Sequence, residues 1–297
     1  MKETRHRFTL KGRDYDLDLG RRTLVMGILN VTPDSFSDGG RFFERERAIE
    51  HGLAMAREGA DLIDVGGEST RPYSEGVSRE EELERVIPVI AALCKEVRVP
   101  ISIDTVKAGV AREALRAGAA MINDVSALRF DPEMAEVAAE AAVPVVLMHM
   151  KGTPSDMQKK PTYERLIPEI LEFFQEAMRR ALHAGIKEDM ILVDPGIGFG
   201  KTFDQNLEII RDLDCFHSLG RPILLGASRK AFLGEILKKE AHERDVGSMA
   251  AIAAGVWNGA HIVRVHDVKM ALDTVRVVDA IKRGSVRERT EKEGEGP

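Results

Sequence analysis

The chain has 297 residues, enough for two small domains or one large α/β barrel, and enough to bury a substantial core either way. Hydrophobic residues make up 43% and charged residues 31%, which excludes a largely disordered chain. The formal net charge of -6 argues against nucleic acid as the main partner, because a phosphate-tracking surface makes a domain basic; a local basic pocket for a small anion remains open.

A short β-hairpin is expected first, at about residues 6–19, where apolar and polar residues alternate around Gly12-Arg13-Asp14. A regular alternation follows. Short apolar runs at Leu24–Asn30, Leu62–Gly66, Ile101–Asp104 and Ala120–Asp124 predict four buried strands, and Val143–His149, Ile191–Asp194, Ile223–Ala227 and Ile262–His266 predict four more. Each is followed by a stretch of helical periodicity: Arg45–Glu58, Arg79–Glu96, Lys107–Arg116, Pro132–Ala141, Tyr163–Ala184, Asp204–Leu213, Lys230–Lys239 continued by Val246–Asn258, and Val268–Ile281. Eight strand–helix pairs in a chain of this length predict an α/β fold, a (β/α)8 TIM barrel with a short N-terminal hairpin, rather than an open doubly wound sheet. The similar phrases around Gly59, Gly118 and Gly259 support this, since each Gly sits where a helix needs a left-handed end cap before the next strand. One domain is expected over 1–284. Residues 285–297 are charged, carry no apolar period and are expected to fray.

Cys94 and Cys215 are the only cysteines, and neither lies in a metal-ligand or redox spacing. A reducing compartment is the natural reading. The first ten residues are charged and no run reaches the roughly 18 apolar residues of a membrane span, so a cytoplasmic protein without membrane contact is expected.

In a parallel barrel the strand interiors are apolar, so a polar residue at a strand's C-terminal end needs a reason, and in this architecture the usual reason is catalysis. Here the series reads Asn30, Asp64 with Glu68, Asp104, Asn123 with Asp124, His149, Asp194, Ser228 to Lys230, and Arg264 with His266. Taken singly, any of these would serve as a cap on the next helix. Taken together, they predict one cup. Carboxylates and amides suit a planar nitrogen heterocycle with a guanidine-like edge, while Arg71, Arg264, His266 and Lys230 suit phosphate or carboxylate oxygens. Asn30 and Asp38 are hard oxygen donors of the kind that hold Mg²⁺ beside a pyrophosphate.

Other signals are weaker. The glycine-rich run at 194–201 lacks the spacing of a phosphate loop, and its glycines are expected to let the backbone approach a flat ligand. His149 is expected to be a satisfied core group beside Met148, which would pack against a ring. His51, His183 and His217 are expected at the surface. Phe36, Pro72 and Phe199 fall in predicted loops, where apolar side chains are candidate pocket walls.

The runs LVMGILNVTPDSFSDGG at 24–40 and GADLIDVGGESTRP at 59–72 resemble the two signature segments of the dihydropteroate synthase family. Six further segments, ISIDT, MINDVS, VLMHMKGTP, ILVDPGIGFGK, LLGASRKAFLG and IVRVHDV, resemble the same family in the same order, from about Leu24 to Val268. The resemblance implies a pterin-binding TIM barrel in folate biosynthesis. It implies a transferase that joins p-aminobenzoate to 6-hydroxymethyl-7,8-dihydropterin pyrophosphate, releasing pyrophosphate, and that is a sulfonamide target. By matching motif, Asp104, Asn123, Asp194 and Lys230 would hold the pterin, with Met148 and Gly226 at its faces or edge. Asn30 would bind Mg²⁺ and the pyrophosphate, joined by Arg264 and His266. Thr70, Arg71, Pro72 and Phe36 would belong to two loops that close over p-aminobenzoate, and Phe199, Ser228 and Lys230 would complete that slot. Asp104, Asp194, Lys230 and Asp38 are the implied catalytic groups, with Asp38 either a metal ligand or a proton acceptor. A homodimer is implied, for which Met249–Val256 is a candidate contact unless it packs on the barrel. One departure is Ala231, where many relatives carry Ser after Ser-Arg-Lys. Two alternatives remain: a corrinoid methyltransferase sharing the pterin-holding positions, which would need neither the Asn-Val-Thr-Pro-Asp-Ser-Phe run nor the Ser-Arg-Lys site, and a non-catalytic pterin-binding paralogue.

Overall fold

Eight short runs rich in Val, Ile and Leu have no polar face to turn to water, so they assemble side by side and are covered by helices on the outside. A computed structural model of the chain describes residues 6–12, 15–32, 41–69, 76–153, 157 and 161–286, excluding the side chains of 41–43. A hairpin of β1 (Phe8–Lys11) and β2 (Asp16–Leu19) comes first, in the register Phe8 to Leu19 and Leu10 to Leu17. The parallel strands are β3 (Leu24–Asn30), β4 (Leu62–Gly66), β5 (Ile101–Asp104), β6 (Met121–Asp124), β7 (Val145–Met148), β8 (Ile191–Asp194), β9 (Leu224–Leu225) and β10 (Ile262–Val265). They lie in the order β8-β7-β6-β5-β4-β3-β10-β9. The remaining seam is closed by a parallel bridge from Val193 to Ile223, with the Val193 N–H donating to Pro222 O at 3.0 Å. The expected barrel is therefore the observed one.

The helices are α1 (Arg41–Glu58), α2 (Arg79–Glu96), α3 (Ala108–Arg116), α4 (Met134–Ala141), α5 (Leu166–His183), α6 (Phe203–Arg211), α7 (Ala231–Leu237), α8 (Asp245–Trp257) and α9 (Val268–Arg283). Gly59, Gly118 and Gly259 have φ of 102°, 113° and 107°, the backbone that the repeated phrases predicted. The seventh helical stretch is two helices that match its two expected segments: Lys238 turns left-handed at φ 54° and a single 3₁₀ turn at Ala241–Glu243 intervenes before α8. The ninth strand is two residues long, because its chain leaves the sheet at Gly226.

Two cores result. Inside the barrel, Leu24, Met26, Leu62, Met121, Val146, Leu192, Leu224 and Ile262 pack with Leu10 and Leu19 of the hairpin, which plugs the N-terminal end. Outside, a larger core joins strands to helices, and Met249, Ile252 and Val256 belong to it. The candidate dimer contact Met249–Val256 is thus mostly spent on packing against the barrel, the second of the two roles considered for it. α9 is fixed to β3 where buried Asp279 accepts from the Thr23 N–H at 2.6 Å and from its hydroxyl at 3.0 Å.

Candidate active site

Because side chains alternate across a strand, residues two apart share a face, and the barrel's inner face changes character along each strand. Toward the hairpin end it is apolar. Two residues further on it carries Asp64 after Leu62, Asp104 after Ser102, Asn123 after Met121, Met148 after Val146, Asp194 after Leu192, Gly226 after Leu224, and Arg264 after Ile262. Register keeps these groups level: Asp104 lies opposite Asn123, and Met148 opposite Asp194.

One hydrogen-bonded chain joins the acidic half. The Arg264 guanidinium donates from Nε to Asp64 Oδ2 at 2.6 Å and from Nη2 to Asp104 Oδ2 at 2.7 Å. The Asn123 amide donates to the same Asp64 oxygen at 2.9 Å. Asp64 is fully buried and its Oδ1 has no partner among the described residues. Burial pushes the Asp104 carboxyl up to about 7 against the pull of Arg264, with the neighbouring Asp64 charge adding to the rise. Asp194 is also raised by burial, although it accepts from the Gly196 N–H at 2.7 Å. Burial, together with the Arg264 charge, lowers Lys230 to about 8 against the opposing pull of Asp194 and Asp104. All three groups feel the Arg264 charge, as expected of one site. Sequence reading assigned Arg264 to the leaving diphosphate; in the structure its guanidinium lies on Asp64 and Asp104, because two carboxylates buried side by side require a cation.

The basic and aromatic side comes from the last loops. Lys230 Nζ stands 4.3 Å from the Phe199 ring centroid, a cation–π contact. Phe199 is buried with Val125, Met148, Met150 and Met157. Ser228 Oγ lies 2.9 Å from His266 Nδ1 and accepts from the His266 N–H at 3.3 Å. Asn30 ends β3 beside Gly66 of β4, and Gly226 leaves Asp194 Oδ2 3.8 Å from where a Cβ would stand. Phe36, Asp38, Thr70, Arg71 and Pro72 lie outside the described residues.

Several strand-end residues serve the scaffold instead. Asp124 accepts from the N–H groups of Ser126 and Leu128, both at 2.7 Å, and stabilises the turn after β6. Glu68 pairs with Lys107, which also reaches buried Glu82 at 2.5 Å. His149 is a core group as expected, edge-on to Phe173 with centroids 4.7 Å apart. His51 and His183 are exposed, but His217 is half-buried and touches Gly259 O at 3.2 Å.

Two residues escaped the sequence reading of the site. Asp64 appeared in the strand-end series but in no role, although an acid between Ile63 and Val65 in a buried strand was signal enough. Lys201 gave no signal: it is 1% exposed, and its Nζ meets Gly196 O at 2.8 Å, Phe199 O at 2.9 Å, His149 O at 3.2 Å and His149 Nδ1 at 2.9 Å. It ties the loop after β8 to the end of β7. Gly196, with φ 71°, lets that loop cross so closely that a Cβ would lie 2.0 Å from His149 O.

Residues 26–266 match the model of a family described as pterin binding enzyme. The chain is 49% identical over 267 residues to a dihydropteroate synthase of Synechocystis sp., covering 90% of this chain and 92% of that protein. A crystal structure of the Yersinia pestis dihydropteroate synthase with a sulfonamide drug complex superposes with a TM-score of 0.88 at 44% identity, covering 94% of this chain and all of that one. The Xanthomonas albilineans dihydropteroate synthase with 4-aminobenzoic acid also superposes with a TM-score of 0.88, at 45% identity, over 93% of this chain and 99% of that one. Barrel, convergent cup and family match together define the class: an enzyme of the pterin-binding barrels. The chain belongs to the dihydropteroate synthase family, the transferases of folate biosynthesis that condense p-aminobenzoate with 6-hydroxymethyl-7,8-dihydropterin pyrophosphate and release pyrophosphate. The corrinoid methyltransferase reading is set aside by the same relatives.

Proposed function

We propose that the acidic half of the cup binds the pterin ring and the basic half binds p-aminobenzoate and the leaving diphosphate. The observation that carries this reading is the hydrogen-bonded junction of Asp64, Asp104, Asn123 and Arg264, with Asp194 and Lys230 both within reach of the Arg264 charge. Asp194, Asp104 and Asn123 offer acceptors and a donor to the ring edge, Met148 and Gly226 leave room for its faces, and Lys230 adds a charged donor. Phe199, Lys230 and Ser228 line the aromatic slot, completed by Phe36, Thr70, Arg71 and Pro72. His266 serves the diphosphate, while Arg264 holds Asp64 and Asp104 beneath the ring.

The reaction is a substitution at carbon. The bond from the pterin methylene to the diphosphate oxygen breaks, the electron pair leaves with the diphosphate, and the arylamine nitrogen attacks the same carbon. The electron-rich ring spreads the positive charge that develops there, and the Asp104 and Asp194 carboxylates stabilise it at close range. The amine's proton leaves after attack, to Asp38 or to solvent. Excluding water until the amine arrives protects the cation from hydrolysis.

Mg²⁺ fits the donor set: the Asn30 amide oxygen is a hard ligand at the strand end, and this ion needs few protein ligands when a diphosphate supplies the rest. Asn30 would hold it with the substrate's oxygens, and Asp38 is the second candidate; the ion would supply neutralising charge to the leaving group.

Two further readings complete the proposal. The free thiols of Cys94 and Cys215 suit a reducing compartment, the cytoplasm, and among the described residues no helix is long and apolar enough to cross a membrane. Exposed Val246 of α8 and Val277 and Ile281 of α9 offer a contact for a homodimer, which sedimentation would reveal. The deciding assay is pyrophosphate release with both substrates and Mg²⁺. Release should require p-aminobenzoate and fail in Lys230→Ala and Asp104→Ala; release without the arylamine, or undiminished release in both variants, would refute these roles.

A further inference from the structure

Arg229 stands between two residues of the basic half, Ser228 and Lys230, with its backbone at φ 56°. A bulky residue adopts this left-handed backbone only where its surroundings hold it there. Three contacts from one neighbouring region do so. The Arg229 N–H donates to Ser248 Oγ at 2.8 Å, and that fully buried hydroxyl donates in turn to Arg244 O at 2.8 Å. The Arg229 carbonyl accepts from Arg244 Nη1 at 3.3 Å. Its guanidinium grips Asp245 in a two-point pair, Nε to Oδ1 at 2.7 Å and Nη2 to Oδ2 at 3.0 Å. Arg244 itself lies against Gly234 of α7, where any Cβ would overlap its guanidinium at 2.3 Å.

The geometry has a direct consequence for the neighbours. A left-handed residue reverses the chain over a very short span, so Ser228 faces His266 while Lys230 faces Phe199 and α7 begins at Ala231. We propose that Arg229 is a positioning residue: Asp245 and Ser248 of α8 lock it in a strained backbone, and this sets Ser228 and Lys230 toward the anionic and aromatic parts of the substrates before binding. A planar two-point ion pair suits this purpose better than a lysine contact, because it restrains direction as well as distance. The inference rests on the roles given above to Ser228 and Lys230.

The test uses Asp245→Ala and Asp245→Asn, Arg229→Ala and Arg229→Gly, and the Arg229→Ala/Asp245→Ala double variant, all in the full-length enzyme. Arg229→Gly adopts a positive φ without cost while losing the guanidinium, so it separates the ion pair from the strain. Asp245→Asn keeps the shape of the side chain if Asp245→Ala fails to fold. Each single variant should raise the KM for p-aminobenzoate about ten-fold, equivalent to about 1.4 kcal/mol, and the double variant should be no worse than either alanine change alone. The alkaline limb of the pH–rate profile, set by Lys230, should move upward as the ammonium regains water. Unchanged KM and an unmoved alkaline limb in folded variants would overturn the clamp, as would additive effects in the double variant. If Ser228→Ala and Lys230→Ala also leave that KM unchanged, the site reading fails and the clamp with it. If they raise it while the Asp245 and Arg229 variants do not, the clamp alone fails.

Discussion

Arg264 and Asp64 are separated by 200 positions in the chain and by 2.6 Å in space, the guanidinium Nε donating to Oδ2 of a fully buried carboxylate. The pair is the keystone of the acidic half. Removing the cation would leave Asp64 and Asp104 buried together without compensation. Arg264→Ala should therefore destabilise the enzyme by about 3–5 kcal/mol in urea unfolding, and Arg264→Lys should recover only part, since an ammonium lacks the fork that reaches both acids. An alanine variant with a wild-type midpoint would contradict the arrangement.

The pH dependence of the free enzyme follows from two opposed shifts. With the proposed roles, activity needs Asp104 ionised and Lys230 protonated, and their values of about 7 and about 8 should leave a narrow maximum of kcat/KM between them. Asp104→Asn should lose most activity, so the acid limb is read from stability. Because the folded Asp104 value lies above its ordinary 3.8, the stability linked to its neutral form is complete below that value and is lost as pH rises through about 7. The asparagine variant has no such loss. Its melting temperature relative to wild type should rise steadily from pH 4 to pH 7, and a constant difference would refute the shifted value.

Lys201 makes a different kind of contribution. Its four contacts join Gly196, Phe199 and His149, and burial holds its ammonium well below the ordinary lysine range. Lys201→Met keeps the length and strips the His149 and Phe199 carbonyls of their ammonium donor, so a loss of about 2–4 kcal/mol is expected by thermal or urea unfolding. Phe199 sits in the released loop, so the KM for p-aminobenzoate should rise as well. A variant with normal stability and normal KM would show that the loop stands without this tie.

Ala231 is the first residue of α7, directly after Lys230, and is exposed. On the proposed site assignment, the backbone N–H groups of this helix start would meet the p-aminobenzoate carboxylate in place of a serine hydroxyl. Ala231→Ser should lower the KM for p-aminobenzoate about five-fold, the equivalent of one added hydrogen bond of about 1 kcal/mol, with little change in kcat. No gain in KM would mean that the hydroxyl has no part in that contact.

Alternation of apolar runs and helical stretches was enough to read a (β/α)8 barrel from the chain, because a strand buried on both faces and a helix buried on one leave different periods in the sequence. The same logic placed Asp104, Asn123, Asp194, Arg264 and His266 at strand ends, where two-residue spacing turns them to one side. The segments Lys230–Lys239 and Val246–Asn258 matched two helices, but the left-handed Lys238 that separates them left no mark in propensity. What the sequence by itself determined is therefore the architecture and the strand-end places of these residues. Only the tertiary structure decided the partners: that Arg264 lies on Asp64 and Asp104, that Lys201 is buried among carbonyls, and that Asp245 grips Arg229. Such pairings join residues far apart in the chain or depend on a reversed backbone, and neither distance across a barrel nor the sign of φ at a non-glycine residue is written in local composition.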